Sequence, residues 1–284
     1  MAVPPAFDPF DPGLYIVATP IGNLGDIAPR AVAVLAAADL IACEDSRVTG
    51  KLLHHLGLKK RMRPYHDHSD EGVRQGLIAA ARGGVVALVS DAGTPLVSDP
   101  GYKLARDARA AGVMVTGVPG PSAPIAALTL SGLPSDRFLF AGFLPAKAAA
   151  RTKEIAGLAG VRATLILFES GPRLAACLAA LAQGLGAREA AVVREISKKF
   201  EEVATGSLAE LATRYADAPP KGEIVLVVGP PPEAAADPQA VEDALRAALA
   251  RLPASQAAAE VARAHGADRR ALYALAQRWK ADGA

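Results

Sequence analysis

The stretch 90–101, reading SDAGTPLVSDPG, holds the densest group of residues able to do chemistry. Asp91, Thr94 and Asp99 offer oxygens and exchangeable protons, while the glycines and prolines free or fix the backbone between them. The apolar run Val85–Val89 comes just before it, which predicts a buried strand that ends in a sharp loop. Such a loop at the carboxyl end of a strand lets a ligand approach the main chain closely. The alternative is an ordinary strand-to-helix turn in which Asp99 caps the following helix.

Two further groups of charged residues follow predicted strands. The groups are Glu44, Asp45 and Arg47 after the strand 40–43, and Glu195, Lys198 and Lys199 after the strand 190–193. Open α/β sheets place their ligands at the carboxyl ends of strands, so both groups are candidate site residues. Helix capping by Asp45 or Ser46 is the alternative for the first group, and an exposed charged strand is the alternative for the second.

The first half of the chain predicts a mainly parallel sheet. Its predicted strands, at 14–18, 40–43, 85–89 and 113–118, are each followed by a loop of small residues and then a helical pattern. The first of these loops, TPIGNLGD at 19–26, lacks the G-x-G-x-x-G spacing of dinucleotide-binding proteins. Pro20 has no backbone N–H to donate, which argues further against a simple pyrophosphate cradle.

The second half is organised differently. Strands predicted at 138–143, 164–168, 190–193, 201–205 and 224–228 are more closely spaced, which favours a mixed sheet. Three helices follow, at 239–249, 255–265 and 268–280, with Gly266 as a left-handed helix stop. We therefore predict a tail at 1–13, α/β domains at 14–134 and 135–230, a linker at 231–238, and a helix-turn-helix-like appendage at 239–284. A capping bundle without an RNA role is the alternative for the appendage.

The composition limits the partners and the cellular compartment. The net charge of +2 over 284 residues is too small to indicate nucleic-acid binding by itself. Any RNA contact must therefore come from local basic clusters. Two such clusters are Lys59, Lys60, Arg61 and Arg63, and Arg263, Arg269, Arg270, Arg278 and Lys280. No apolar stretch reaches membrane length and no leader pattern opens the chain, so we expect a cytoplasmic protein that does not contact a membrane.

Metal binding is not expected. Cys43 and Cys177 lie far apart in apolar surroundings, which is typical of buried small hydrophobic residues. The segment His66-Asp67-His68 has ligand types but no third or fourth partner at a recognisable spacing.

Eight segments, in one order along the chain, resemble the tetrapyrrole methylase superfamily. They are LYIVATPIGNLGDI from Leu14, ACEDSRVTGKLL from Ala42, ALVSDAGTPLVSDPGYKL from Ala87, VPGPSA from Val118, FLFAGFLPAK from Phe138, LFESGPRL from Leu167, VVREISKKFEEVATGSL from Val192 and KGEIVLVVG from Lys221. The segment from Ser255, SQAAAEVARAHGADRRALYALA, is similar to the helical appendage of the branch that methylates ribosomal RNA. One departure is Gly171, where that branch has a proline.

The resemblance implies a methyltransferase of two α/β domains that holds S-adenosylmethionine between them. Its reaction would be 2'-O-methylation of a cytidine in the decoding region of 16S rRNA, within the 30S subunit, by a homodimer. Carried over position by position, the cofactor contacts would be Pro20, Ile21, Asp91, Gly93, Thr94, Ser122, Ala123, Phe168, Val203 and Glu223.

A ribose hydroxyl is a weak acid, so some group should accept its proton during methyl transfer. Glu195, Glu44 and Asp45 are the candidate acceptors or ribose-orienting groups, and Arg47, Lys198 and Lys199 are candidates to hold phosphates. Two alternatives stay open: a C-methyltransferase of a tetrapyrrole ring, and a non-catalytic RNA-binding factor of ribosome assembly.

Overall fold

The computed structural model describes residues 10–66, 69–232 and 238–282. Parts of four sequence predictions therefore lie outside the described residues: 1–9 of the predicted tail, Asp67 and His68 of the histidine-containing segment, 233–237 of the predicted linker, and 283–284 of the predicted appendage. The chain divides into two compact units, Met1–Pro230 and Pro231–Ala284. Both predicted α/β segments fall in the first unit.

The first sheet is five-stranded and all its strand pairs are parallel, with the order β3-β2-β4-β1-β5. The strands are β1 Gly13–Val17, β2 Leu40–Cys43, β3 Met62–Pro64, β4 Val85–Val89 and β5 Val115–Val118. Parallel pairing requires long crossover connections, and these are helical here. The helices are α1 Pro29–Ala37, α2 Ser46–His55, α3 Glu71–Gly83, α4 Tyr102–Ala110 and α5 Ala123–Leu130. Every residue of β4 is buried, as expected for a central strand covered on both faces.

The second sheet is mixed, as predicted, with the order β6-β7-β10-β8-β9. Its strands are β6 Phe138–Phe143, β7 Thr164–Ser170, β8 Glu189–Arg194, β9 Glu202–Ser207 and β10 Glu223–Val228, and only the β6–β7 pair is parallel. One face packs on α6 Ala148–Leu158, α7 Gly171–Leu185 and α8 Leu208–Arg214. The other face packs on α5, which follows the last strand of the first sheet. Helix α5 therefore follows the first sheet in the chain and packs in the apolar core of the second sheet.

The second unit has three helices and a core of its own. The helices are α9 Pro238–Leu249, α10 Ala254–His265 and α11 Arg269–Asp282. Leu245, Val261 and Ala276 are among the buried residues that hold them together. Helix α10 ends at Gly266, with φ of 64° and ψ of 22°, which confirms the predicted left-handed stop.

The two predicted helix caps have different outcomes. Asp45 caps α2, because its side chain accepts a hydrogen bond from the backbone N–H of Arg47. The capping prediction for Asp99 is wrong: Gly101 occupies the N-cap of α4, with no side-chain hydrogen bond. Gly101 has φ of 134°, and a Cβ there would lie 2.8 Å from Cδ2 of Leu88. Asp99 lies two residues before this N-cap.

Both cysteines are free and buried, as predicted for Cys43 and Cys177. Within the described ranges, no helix combines the length and apolarity needed to cross a bilayer.

Candidate active site

A cavity of about 360 Å³ lies where loops of the first sheet meet strand ends of the second. The loop after β4 and the start of α5 form one side of it. The ends of β7 and β10 and the loop after β8 form the other side. All the lining residues belong to the first unit.

Most of the residues predicted to hold a cofactor line this cavity. Those residues are Ile21, Gly93, Thr94, Ser122, Ala123, Phe168 and Glu223. Pro20 and Asp91 do not line it themselves, but each directly precedes a lining residue in the chain. Val203 lies on β9, two strands away from β10, and does not line the cavity.

Backbone hydrogen bonds tie the first loop to the central loop. The N–H of Thr19 donates to the carbonyl of Gly93 at 2.9 Å, and the N–H of Gly93 donates back to Thr19 at 3.0 Å. Gly93 has φ of 78°, and a Cβ there would lie 3.3 Å from Cγ2 of Ile21. The hydroxyl of Thr94 donates to the carbonyl of Pro121 at 3.1 Å, which adds the loop before α5. These contacts hold three loops of the first sheet at one edge of the cavity.

Strained backbone is concentrated in the loops that surround the cavity. Among the described residues, the non-glycine residues with positive φ are Leu96, Ser98, Glu195 and Ser197, with φ between 52° and 73°. All of them lie either in the loop after β4 or in the loop after β8. Such conformations cost free energy and persist where surrounding structure holds them, most often at functional sites. Both loops are therefore candidate parts of an active site.

A lysine between two carboxylates lies in the loop after β8, and of these three residues only Glu223 lines the cavity. Nζ of Lys198 lies 2.9 Å from Oε1 of Glu195 and 2.9 Å from Oε2 of Glu223. Oε1 of Glu195 also accepts a hydrogen bond from the backbone N–H of Glu223 at 3.0 Å. The hydrogen bond from Lys198 is the main cause that lowers the pKa of Glu195, so this carboxylate stays ionised and is a weak base. Partial burial lowers the pKa of Lys198, but its two carboxylate partners together raise it.

The loop after β8 packs directly on the loop after β1. A Cβ at Gly22 would lie 2.5 Å from Cγ of Lys198 and 3.0 Å from the carbonyl oxygen of Ile196, so the approach requires glycine. The hydroxyl of Ser197 donates to the carboxylate of Asp26. The two sheets are thus linked beside the cavity as well as through α5.

Asp99 lines the cavity and belongs to a group of acidic residues. Burial raises its pKa to about 6, the Ser90 hydroxyl partly opposes this shift, and the negative charges of Glu44 and Asp91 add to it. Burial and the charge of Asp91 likewise raise the pKa of Glu44. The backbone N–H of Asp45 donates to Oδ1 of Asp91 at 3.0 Å, which fixes the end of β2 beside this group. The central motif contains two Ser-Asp pairs, Ser90-Asp91 and Ser98-Asp99, and this repeat is the sequence signal for Asp99.

None of the candidate catalytic residues predicted from the sequence lines the cavity: Glu195, Lys198, Lys199, Asp45 and Arg47 all lie outside its lining. Nη2 of Arg47 is 2.6 Å from Oδ2 of Asp45, and its side chain is 88% exposed. Hydrogen bonds from Arg47 hold the pKa of Asp45 at about 2. Lys199 is exposed, with Nζ 5.7 Å from the ring centroid of Phe200. These side chains are accessible to a large substrate rather than to a ligand within the cavity.

The cavity has the composition of a site for an amphipathic cationic ligand. Its walls include the apolar side chains of Ile21, Phe143 and Ile196, and its polar groups include the carboxylates of Asp99 and Glu223. No lysine or arginine is among the described residues that line it. Across the described ranges, no group of three or more His, Cys, Asp or Glu side chains is arranged to hold a metal ion. A ligand with a planar apolar part and a positive charge fits these walls.

Family models and curated relatives match most of the chain. The family described as Tetrapyrrole (Corrin/Porphyrin) Methylases matches residues 13–212, and the RsmI C-terminal HTH domain matches residues 235–280. A relative from Erythrobacter litoralis is 57% identical and one from Mesorhizobium japonicum is 53% identical. The matches cover 95% and 93% of this chain, and 96% and 91% of the relatives. Both relatives are named Ribosomal RNA small subunit methyltransferase I.

Solved structures share the fold of about three quarters of the chain. The uroporphyrin-III-C-methyltransferase of Thermus thermophilus aligns with a TM-score of 0.56 at 25% identity, over 77% of this chain and 94% of that protein. Diphthine synthase aligns with a TM-score of 0.57 at 18% identity, over 76% of this chain and 89% of that protein, a likeness of fold alone. The parallel and mixed sheets, the family match across both and the near-full-length relatives show that the chain belongs to the tetrapyrrole methylase family of methyltransferases.

Proposed function

We propose that this protein transfers the methyl group of S-adenosylmethionine to the 2'-hydroxyl of a cytidine in the decoding region of 16S rRNA. The observation that carries the proposal is a cavity lined by loops of both sheets, in a chain whose rRNA methyltransferase relatives match it along nearly its whole length. The second unit also has its own match in a domain named for these enzymes.

The cavity walls support S-adenosylmethionine as the methyl donor. Its adenine would pack against apolar groups such as Ile21 and Phe168, and its positive charges would be balanced by Asp99 and Glu223. Main-chain groups around Gly93, Thr94, Ser122 and Ala123 supply further donors and acceptors. When bound, this co-substrate supplies an electrophilic methyl group. The protein contributes alignment of the acceptor oxygen with that methyl group and removal of one proton.

Asp99 is the proton acceptor that the geometry favours. It lines the cavity, and a pKa of about 6 makes it a better base than an ordinary aspartate while leaving it ionised at neutral pH. The 2'-oxygen would bond to the methyl carbon as the methyl–sulfur bond breaks and S-adenosylhomocysteine leaves, and the hydroxyl proton would pass to this carboxylate. Glu195 has a lowered pKa and a fixed lysine partner, so we assign it the orientation of the loop after β8.

Exposed cations on both sides of the cavity would hold the rRNA backbone. Arg47 and Lys199 are accessible and are our candidates for phosphate contacts. Lys198 is held by two carboxylates and instead positions them. The proposed setting is the cytoplasm, the substrate form is the 30S subunit and the enzyme form is a homodimer, all from the family resemblance.

A tetrapyrrole C-methyltransferase is the second candidate, favoured by the likeness to the uroporphyrin-III enzyme. That enzyme aligns with 77% of this chain, whereas the relatives from Erythrobacter litoralis and Mesorhizobium japonicum match 95% and 93% of it. A non-catalytic assembly factor would not need the strained loops around the cavity.

The test is transfer of labelled methyl from S-adenosylmethionine to each of three acceptors. The acceptors are 30S subunits and naked 16S rRNA from cells that lack this enzyme, and uroporphyrinogen III. Label in either RNA sample supports the proposal, and the comparison shows which form of the substrate is used. Label in uroporphyrinogen alone replaces it with the tetrapyrrole reaction. Absence of both S-adenosylmethionine binding and label transfer would contradict both methyltransferase hypotheses and support the assembly-factor alternative.

A further inference from the structure

The second unit presents a basic and aromatic face on its last helix, which the methyl-transfer site does not use. The face consists of Arg269, Arg270, Tyr273, Gln277 and Lys280, and all of these residues are exposed. At about 100° per residue, these positions fall within an arc of about 100° around α11. The face contains no acidic residue. We call it the basic face.

A second side of α11, next to the basic face, packs in the core of the unit. Leu272 and Ala276 are buried, and Leu275 and Trp279 pack partly buried against the same cluster. The guanidinium of Arg246 on α9 lies 4.7 Å from the ring centroid of Trp279, which adds a contact on that side. The core therefore fixes the rotation of α11 and leaves the basic face outward.

The positive charge of the face is not neutralised within the described side chains. Glu260 pairs with Arg251, and Asp243 accepts a hydrogen bond from Gln239, so these carboxylates are engaged elsewhere. Asp268 accepts a hydrogen bond from the backbone N–H of Arg270 at 2.7 Å, a contact to the helix start rather than to a cation. No described carboxylate forms a salt bridge with Arg269, Arg270 or Lys280. A free cationic face of this kind attracts a polyanion.

The aromatic residue of the face is held in place at the surface. Tyr273 is 43% exposed, and its hydroxyl accepts a hydrogen bond from Nε2 of Gln277 at 2.8 Å. A groove of about 720 Å³ beside it is lined by Ser255, Asp268, Arg269, Arg270 and Tyr273. Exposed aromatic rings flanked by cations stack on unpaired bases while the cations contact phosphates.

We propose that α11 binds a single-stranded segment of the rRNA substrate, with phosphates on Arg269, Arg270 and Lys280 and an unpaired base on Tyr273. The inference rests on the proposed function for the identity of the RNA. The surface itself is argued only from charge, exposure and the groove, so it is tested by binding rather than by methyl transfer.

The test uses the full chain and a 16S rRNA fragment that contains unpaired nucleotides of the decoding region. The variants are R269Q/R270Q/K280Q for the phosphate contacts and Tyr273→Ala for stacking. Arg270→Gln and Arg278→Gln form a matched pair, since each removes one charge from an exposed position of α11 and only Arg270 lies on the basic face. Circular dichroism and S-adenosylmethionine affinity confirm that each variant is folded.

We expect the triple variant to bind the RNA fragment at least ~10-fold more weakly. The negative slope of log affinity against log salt should become shallower by about 2. Tyr273→Ala should weaken binding about 5- to 100-fold without changing that slope. Arg270→Gln should make this slope shallower, and Arg278→Gln should leave it unchanged. Equal effects of the matched pair, or an unchanged slope in the triple variant, would overturn the inference.

Failure of the proposed function is distinguishable from failure of this inference. If the wild type binds the RNA through the basic face but transfers no methyl group, only the proposed function fails. If it methylates rRNA and the triple variant keeps both its RNA affinity and its KM for 30S subunits, only this inference fails.

Discussion

At the residue scale, the state of Asp99 decides which pH range suits the proposed chemistry. An aspartate that lines a cavity with a pKa of about 6 is ionised at pH 8 and protonated at pH 5. Because the proposed reaction needs the ionised form, kcat/KM should fall as pH drops through about 6. Asp99→Asn should lower kcat about 10²- to 10⁴-fold and remove that limb of the pH profile. A variant with wild-type activity and an unchanged profile would exclude Asp99 as the base.

The same residue has a predictable effect on stability. Folding raises the pKa of Asp99, so its ionised form destabilises the folded state above pH about 6, and this cost vanishes as pH falls below the unfolded pKa near 4. Asp99→Asn should therefore raise Tm at pH 8, by about 2–4 °C for each kcal/mol recovered, and leave it unchanged near pH 4. The exposed Asp136→Asn is the matched control, with no expected change at either pH.

Glu195 tests the role of the loop after β8. Glu195→Gln removes the charge that holds Nζ of Lys198 at 2.9 Å, while the amide oxygen can still accept from Glu223. We expect kcat to fall about 10-fold, with the Kd of S-adenosylmethionine within about twofold of the wild type. The exposed Glu154→Gln should change neither quantity. Full activity of Glu195→Gln would remove this residue from the site.

At the element scale, Gly222 lines the cavity and directly precedes strand β10. Its φ is 97°, and a Cβ there would lie 2.3 Å from Oε1 of Glu195. Gly222→Ala should therefore lower the free energy of unfolding by more than the roughly 1 kcal/mol expected for a left-handed alanine alone. It should also displace the Glu195 carboxylate. Gly112 is the matched control, since its φ is 73° and a Cβ there meets nothing within 4 Å. Equal unfolding free energies for the two alanine variants, measured in urea, would contradict this account.

The regular elements near the site were predictable from the sequence, because apolar runs and turn residues mark them. The strands 40–43, 85–89 and 138–143 have the predicted bounds. Helix α3, Glu71–Gly83, was not predicted, although Asp70 caps it. The short edge strand β3 and helix α8 also went unpredicted, since their length leaves little periodicity to detect.

What sequence alone could not supply was the contact between distant loops. The departure at Gly171 is an example, since a Cβ there would lie 1.8 Å from the carbonyl oxygen of Pro220. Nothing local in the sequence indicates that the two segments meet. The acidic surroundings of Asp99 depend in the same way on Glu44 and Asp91, which come from two different loops.

At the scale of the whole molecule, we assign cofactor binding to the first unit and part of the RNA binding to the second unit. The cavity is lined by residues of the first unit, and the second unit has its own buried core. A chain of residues 1–230 should therefore unfold cooperatively and bind S-adenosylmethionine within about twofold of the full chain, yet bind rRNA more weakly. Calorimetry of the truncated chain checks the first two expectations and filter binding checks the third. Loss of S-adenosylmethionine binding in a folded truncation would contradict the division.

The most direct test of the central claim is to identify the nucleoside that carries the transferred methyl group. Unmodified 30S subunits are incubated with the protein and trideuteromethyl S-adenosylmethionine, and the 16S rRNA is digested and analysed by mass spectrometry. We expect deuterated 2'-O-methylcytidine with the wild type. With Asp99→Asn, its rate of formation should be lower by a factor of about 10² or more. A deuterated base, or no deuterated nucleoside from a protein that binds S-adenosylmethionine, would contradict the central claim.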